Sequence, residues 1–156
     1  MNIKDTANIL THNIWTCGDL LSSFTDFTYY SGRGDIQLTK QNATNGDYCI
    51  KFNRTLPQGN TAYNMLQVSI NPEEFKGKTL KFTADILNTT NTGISIQLKT
   101  DKQVKSTEVP PNTTISTYSI THIIENDATI IQCVIAISSS ANQEYVFTDN
   151  WDIHLQ

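Results

Sequence analysis

Apolar residues recur at every second position along most of this chain, a period that belongs to extended strands and not to helices. In KTLKFTADIL, Leu80, Phe82, Ala84 and Ile86 fall on one side of the backbone, with Lys81, Thr83 and Asp85 on the other. In TGISIQLKT, Ile94, Ile96 and Leu98 oppose Ser95, Gln97 and Lys99. In TIIQCVIAISS, Ile131, Cys133, Ile135 and Ile137 form the apolar row, against Gln132, Val134 and Ala136. YCIKFN and YNMLQVSI supply two more strands, the second with Leu66, Val68 and Ile70 opposite Met65 and Gln67. The final stretch, YVFTDNWDIHLQ, places Tyr145, Phe147, Trp151, Ile153 and Leu155 in one apolar row, which predicts a closing strand paired into a sheet.

Helix signals are nearly absent. NPEEFKG is the best candidate for a helical turn, with Asn71 placed to cap it and Glu73 and Glu74 suited to its N-terminal end. Turn residues separate the strands: Asn45-Gly46, Gly77, Gly93 and Pro110-Pro111. Short strands joined by such turns bury their apolar sides by stacking two sheets. The expectation is an all-β chain, a two-sheet antiparallel β-sandwich, with residues 1–156 forming one domain.

The surface of this sandwich must be polar yet uncharged, because only 17% of the 156 residues are charged and 38% are apolar. Thr, Asn, Ser and Gln fill the gap, as in NTTNTG and PNTTISTYS. A surface of that kind suits neutral partners. The net charge is −4, the lysines are scattered, and Arg33 and Arg54 are the two arginines, so a phosphate-binding face and a nucleic-acid partner are disfavoured. No apolar run is long enough to span a bilayer, and MNIKDTANIL carries no signal-peptide apolar stretch. Met1 fits a native start or a start placed before an excised module. Cys17, Cys49 and Cys133 lack metal-ligand spacing. Cys49 and Cys133 sit in apolar runs and are expected as buried small hydrophobes, with a disulfide involving Cys17 left open.

Catalytic constellations do not stand out. Asp149 and Asp152 are odd and even positions of one strand, which predicts side chains on opposite sides, unlike the converging carboxylates of a glycosidase. His12, His122 and His154 are isolated and expected to be exposed or hydrogen-bonded, with His154 pointing outward. Arg33-Gly34-Asp35 reads as an ordinary turn. N-glycosylation sequons occur at Asn42, Asn53, Asn88 and Asn112. The chain is not expected to be an enzyme.

From about Asn45 onward the order of strands and turns resembles carbohydrate-binding modules of families four, nine and twenty-two. NGDYCIKFN is similar to the family's third strand, and AYNMLQVSINPEEFKGKTLKFTADI to its strand, proline-containing turn and following strand. STYSITHIIENDATIIQCVIAI resembles the paired strands that come next, VFTDNWDIHL the closing strand, and NILTHNIW the opening segment. The resemblance implies a jelly-roll sandwich of the galactose-binding-like type that binds sugar without chemistry on a concave sheet. It also implies that YNMLQVSI, GISIQLKT and IIQCVIAI share that sheet, so that Gln67, Gln97 and Gln132 point outward from it. A glutamine offers amide donors and a carbonyl acceptor to sugar hydroxyls, and an aromatic ring offers a flat surface to the sugar's apolar face. Tyr63 is the first aromatic candidate, followed by Trp15 and Tyr118, then Tyr29 and Tyr30 on a loop, with Arg54 as a rim clamp. Val134 and Ala136 are expected either to floor a shallow groove or to be covered.

In that family a closing acidic pair helps to bind a structural calcium. Here Trp151 takes the first acidic position and only Asp152 matches the second, with Asp19 the nearest carboxylate after the first strand. A calcium site is therefore either absent or built from Asp152, Asp19 and backbone carbonyls. No cofactor is expected to be required. The expected partner is a neutral poly- or oligosaccharide, outside the cell or on a cell or virion surface, with no membrane insertion. The alternative reading is a structural or host-receptor-recognition module of a viral tail fibre or surface adhesin, as part of a larger protein.

Overall fold

The computed structural model describes residues 28–30, 36–44, 49–53, 64–90, 93–137 and 145–156. Ten strands run through them: β1 (Thr28–Tyr30), β2 (Ile36–Thr39), β3 (Cys49–Asn53), β4 (Asn64–Ile70), β5 (Thr79–Asn88), β6 (Ile94–Thr100), β7 (Val104–Val109), β8 (Ser116–Ile123), β9 (Ile131–Ile137) and β10 (Tyr145–Leu155). They form two five-stranded sheets, in the orders β1-β4-β9-β6-β7 and β2-β3-β10-β5-β8, and every pairing is antiparallel. The two-sheet antiparallel sandwich read from the alternation is the observed fold. Tyr29 and Tyr30, expected on a loop, belong instead to strand β1 at the edge of the first sheet.

The core fills the space between the sheets. From the first sheet come Val68, Ile94, Ile96, Leu98, Ile131, Cys133 and Ile135, and from the second Ile50, Leu80, Phe82, Ala84, Ile86, Val146, Trp151 and Ile153. Fully burying an Ile, Leu or Phe side chain stabilises the fold by about 1.5–3 kcal/mol, so this inter-sheet layer is the main driving force for folding. Buried polar contacts also cross between the sheets, one from Asn88 Nδ2 in β5 to the Val109 carbonyl in β7 and one from His122. His122 in β8 is buried, with Nδ1 at 2.9 Å from the Leu98 carbonyl in β6 and Nε2 at 2.9 Å from Glu125 Oε1.

NPEEFKG forms a turn, with no helix among the described residues. Asn71 Oδ1 accepts a hydrogen bond from the Glu73 amide, so the expected cap is present, and Pro72 O accepts from both Phe75 N and Lys76 N. Gly77, at φ +75°, ends the turn before a second can form.

The closing strand is the centre of the second sheet, paired to β3 on one side and β5 on the other. Its apolar row is not continuous as expected. Asp149 pairs with Asp85 and Asp152 with Thr83, so two residues, Asn150 and Trp151, face Ala84 alone. This β-bulge, with Asn150 at φ +52°, shifts the alternation by one residue. Trp151, Ile153 and Leu155 join the core, whereas Phe147 and Tyr145 pack outside it with Cys49 and Leu87. The same shift overturns the expectation for Asp149 and Asp152, which project on the same, outward side of the sheet.

Candidate functional site

Strands β4, β9 and β6 are adjacent in the first sheet, as the resemblance implied, and their register fixes which residues share a row. Gln67 and Gln97 are both paired with Val134, and Thr28 and Ser106 extend that row into β1 and β7. Gln132 pairs with Ser69 on one side and Lys99 on the other, and Lys99 in turn with Val104. The third row is Tyr30, Met65, Ala136, Ser95 and Glu108. Since Ile94, Ile96, Leu98, Cys133 and Ile135 are buried in the core, the alternate positions Ser95, Gln97, Lys99 and Gln132 form the outward face.

Gln97 and Gln132 are half-buried, and Gln97 Nε2 donates to Ser95 Oγ at 2.9 Å. That bond fixes the orientation of the amide while its carbonyl oxygen retains acceptor capacity. Between the glutamines Val134 is fully buried and Ala136 nearly so, in a small cluster of their own apart from the inter-sheet core. Of the two expectations for these residues the structure realises cover, not an open groove floor.

Not every residue expected at the site is placed there. Tyr118 lies in β8 of the opposite sheet, paired with Ala84, and packs against the core while its hydroxyl oxygen accepts from Asn112 Nδ2 at 3.0 Å. It is an interior residue, because its position on β8 alternates toward the core. Tyr63, Trp15 and Arg54 lie outside the described residues, as do Asp19, Arg33-Gly34-Asp35, His12 and Cys17. Conversely, β7 was not legible as a strand, because VKSTEV is exposed over its first five positions and carries no one-sided apolar row. Ser106 and Glu108 nevertheless extend the polar rows.

Two sequons serve internal bonding. Asn88 is buried, with Nδ2 donating to Val109 O and Oδ1 accepting from Thr90 N, and Asn112 Nδ2 also donates to Ile86 O.

The second sheet's outward side holds a carboxylate pair. Asp85 and Asp149 are buried side by side, and Thr44 bridges them: Thr44 Oγ1 donates to Asp85 Oδ2 at 2.6 Å, and Thr44 N donates to Asp149 Oδ2 at 2.7 Å. Thr117 Oγ1 donates to Asp85 Oδ1. The hydroxyl and amide donors fasten the 40–44 segment over the sheet. Beside them, burial first and the Asp149 charge second push the Cys49 thiol up to about 12.

Asp152, the residue matched to the family's calcium position, has Oδ2 at 3.3 Å from His154 Nδ1, and its Oδ1 is buried without a hydrogen-bond partner. Calcium takes six to eight oxygens. No three acidic, histidine or cysteine side chains converge among the described residues. Trp151, at the other acidic position, is committed to the core, edge-on to Phe82 at 4.9 Å with Nε1 donating to Thr148 Oγ1.

The two-sheet β-sandwich is similar in fold to solved carbohydrate-binding modules. The family 61 module TmCBM61, solved in complex with β-1,4-galactotriose, matches with a TM-score of 0.68 at 14% identity, over 97% of this chain and 100% of that one. The CBM22-1 xylan-binding domain of Paenibacillus barcinonensis Xyn10C matches with a TM-score of 0.65 at 12% identity, over 99% and 97%. The enzymatically active domain of bacteriophage CBA120 tailspike protein 4 matches with a TM-score of 0.65 at 15% identity, over 85% of this chain and 20% of that one. At these identities the likeness is one of fold. No protein-family model and no curated protein sequence matches the chain. No helix among the described residues is long and apolar enough to cross a membrane.

Proposed function

We propose that the chain is a non-catalytic carbohydrate-binding module that holds a neutral oligo- or polysaccharide on the outward face of the first sheet, along the half-buried Gln97, Lys99 and Gln132 beside the covered Val134 and Ala136. The observation that carries this reading is that Gln97 in β6 and Gln132 in β9 both lie on the outward face of neighbouring strands, one row apart. This sets two side-chain amides diagonally across neighbouring strands, about 7–8 Å apart. Amides of this kind bond to vicinal hydroxyls as both donor and acceptor. The likeness in fold to modules solved as xylan- and galactotriose-binding domains supports the same class of partner. A carboxylate pair exists, but Asp85 and Asp149 are buried, occupied by Thr44 and Thr117, and lie on the other sheet. They are not placed to work on a glycan held by the glutamine rows.

Affinity is expected to be modest, because a polar face gives up much hydration for each bond it makes. The test is native affinity electrophoresis in gels carrying xylan, galactan or β-glucan. Retardation by at least one is expected, and migration unchanged in all of them would defeat the reading. Such a module would work outside the cell.

A second reading rests on the match to a tailspike segment: a structural or host-recognition module of a viral fibre. Light scattering separates the two, since a fibre module is expected as a stable trimer and a binding module as a monomer.

A further inference from the structure

A pocket of about 490 Å³ opens at one end of the sandwich, between the β4–β5 turn and the β8–β9 turn. We propose that it is an end subsite that receives the terminal pyranose of a neutral glycan lying on the glutamine rows, an inference that rests on the function proposed above. Its volume falls within the range of small-ligand pockets. It is continuous with that face, because Ser69 lines the pocket and is the register partner of Gln132.

The lining has the two-sided chemistry of a sugar. Half-buried Ile70 and Ile130, with Pro72 and Ala128 buried behind them, supply apolar surface for the C–H side of a ring. Ser69 and Thr129 are exposed and bring hydroxyls to the rim. The charges there are paired with an excess of carboxylate, because Lys102 is shared by Asp127 and by Asp101 at 3.4 Å. Glu73 Oε1 is 2.7 Å from Lys76 Nζ, and Asp127 Oδ2 is 3.6 Å from Lys102 Nζ. Such a rim disfavours a uronate, while its carboxylate oxygens can accept from the hydroxyls of a neutral sugar.

The walls are built in advance of any ligand. Pro72 O accepts from Phe75 N and Lys76 N, and Ala128 N donates to Glu125 O. The two turns are tied together, since Gly77 N donates to Ile124 O and Ile124 N to Lys78 O. Thr129 N donates to Asp101 Oδ1, which fixes the far wall. Preorganised walls spare a ligand the cost of ordering loops.

The test is Thr129→Trp, which fills the pocket from an exposed position and keeps the backbone bond to Asp101. Binding of β-1,4-linked xylose, galactose and glucose trisaccharides is measured by calorimetry, alongside gel retardation by the corresponding polysaccharides. An end subsite predicts that trisaccharide binding weakens by about tenfold. Retardation by long chains, which present few ends, stays unchanged. Trisaccharide binding as tight as wild type, or an equal loss on short and long chains, overturns the subsite alone. Wild-type protein that binds no member of either panel overturns the glycan face and the subsite together. Glu73→Trp, from the exposed β4–β5 turn on the opposite wall, gives the same reading if Thr129→Trp does not fold.

Discussion

Asp85 and Asp149 stand directly opposite one another across the β5–β10 ladder, both buried, with Thr44 hydrogen-bonded to the two of them. Like charges at paired positions destabilise a sheet. Asp85→Asn removes one charge and keeps an acceptor for a threonine hydroxyl, so it is expected to raise stability by about 0.5 kcal/mol. Thr44→Val removes the bridging hydroxyl and is expected to lower stability by about 1 kcal/mol. Urea unfolding of the two variants checks both signs, and a loss of stability in Asp85→Asn would contradict the repulsion.

Asn150 carries the bulge that turns Trp151 into the core. Its φ of +52° is in the left-handed region, where glycine is free and a Cβ is strained. Asn150→Gly should be near neutral, and Asn150→Val should cost about 1–3 kcal/mol. Equal melting temperatures for the two would show that the bulge does not depend on this backbone conformation.

The thiols of Cys49 and Cys133 are buried, and burial pushes both up, Cys49 to about 12. Thiolate is the reactive form. With Cys17 replaced by serine, the folded protein should therefore react with a disulfide reagent at pH 8 only as fast as it opens. Full reaction is expected in denaturant. Rapid labelling of the native protein would contradict this burial.

Asp101 is held down to about 2, first by the Thr129 backbone amide and with help from Lys102, from an ordinary value of 3.8. A group depressed on folding contributes stability above its unfolded value and loses it as the pH falls through the folded one. The difference in melting temperature between wild type and Asp101→Asn should be present at pH 6 and shrink between about pH 4 and 2. A difference that does not change across that interval would show that the Asp101 charge is not what holds the 129 turn.

The alternation of the chain carried most of the fold. Leu80 to Ile86, Ile94 to Leu98 and Ile131 to Ile135 each bury the side that their period predicts, because one face of each strand meets a single core. The last strand was legible as a strand and misread in phase. One extra residue at Asn150 reverses every side chain before it, and no local composition signals a bulge of this kind. The end pocket was not legible, since Pro72 and Ala128 meet only through the packing of two turns distant in sequence. The glutamine rows were legible only through the resemblance, because register between strands far apart in the chain is set by the fold and not by either strand. Tyr118 shows the limit of carrying positions across by pattern: its strand belongs to the second sheet, away from the glutamines of the first.

The central claim is that Gln97 and Gln132 grip a neutral glycan from the outward face of the first sheet. The direct measurement is calorimetric titration of wild type and the Gln97→Ala/Gln132→Ala double variant with the polysaccharide that retards the wild type most. The account predicts binding by the wild type, a loss of at least about tenfold in the double variant, and unchanged thermal stability. A double variant that binds as tightly as the wild type would contradict it.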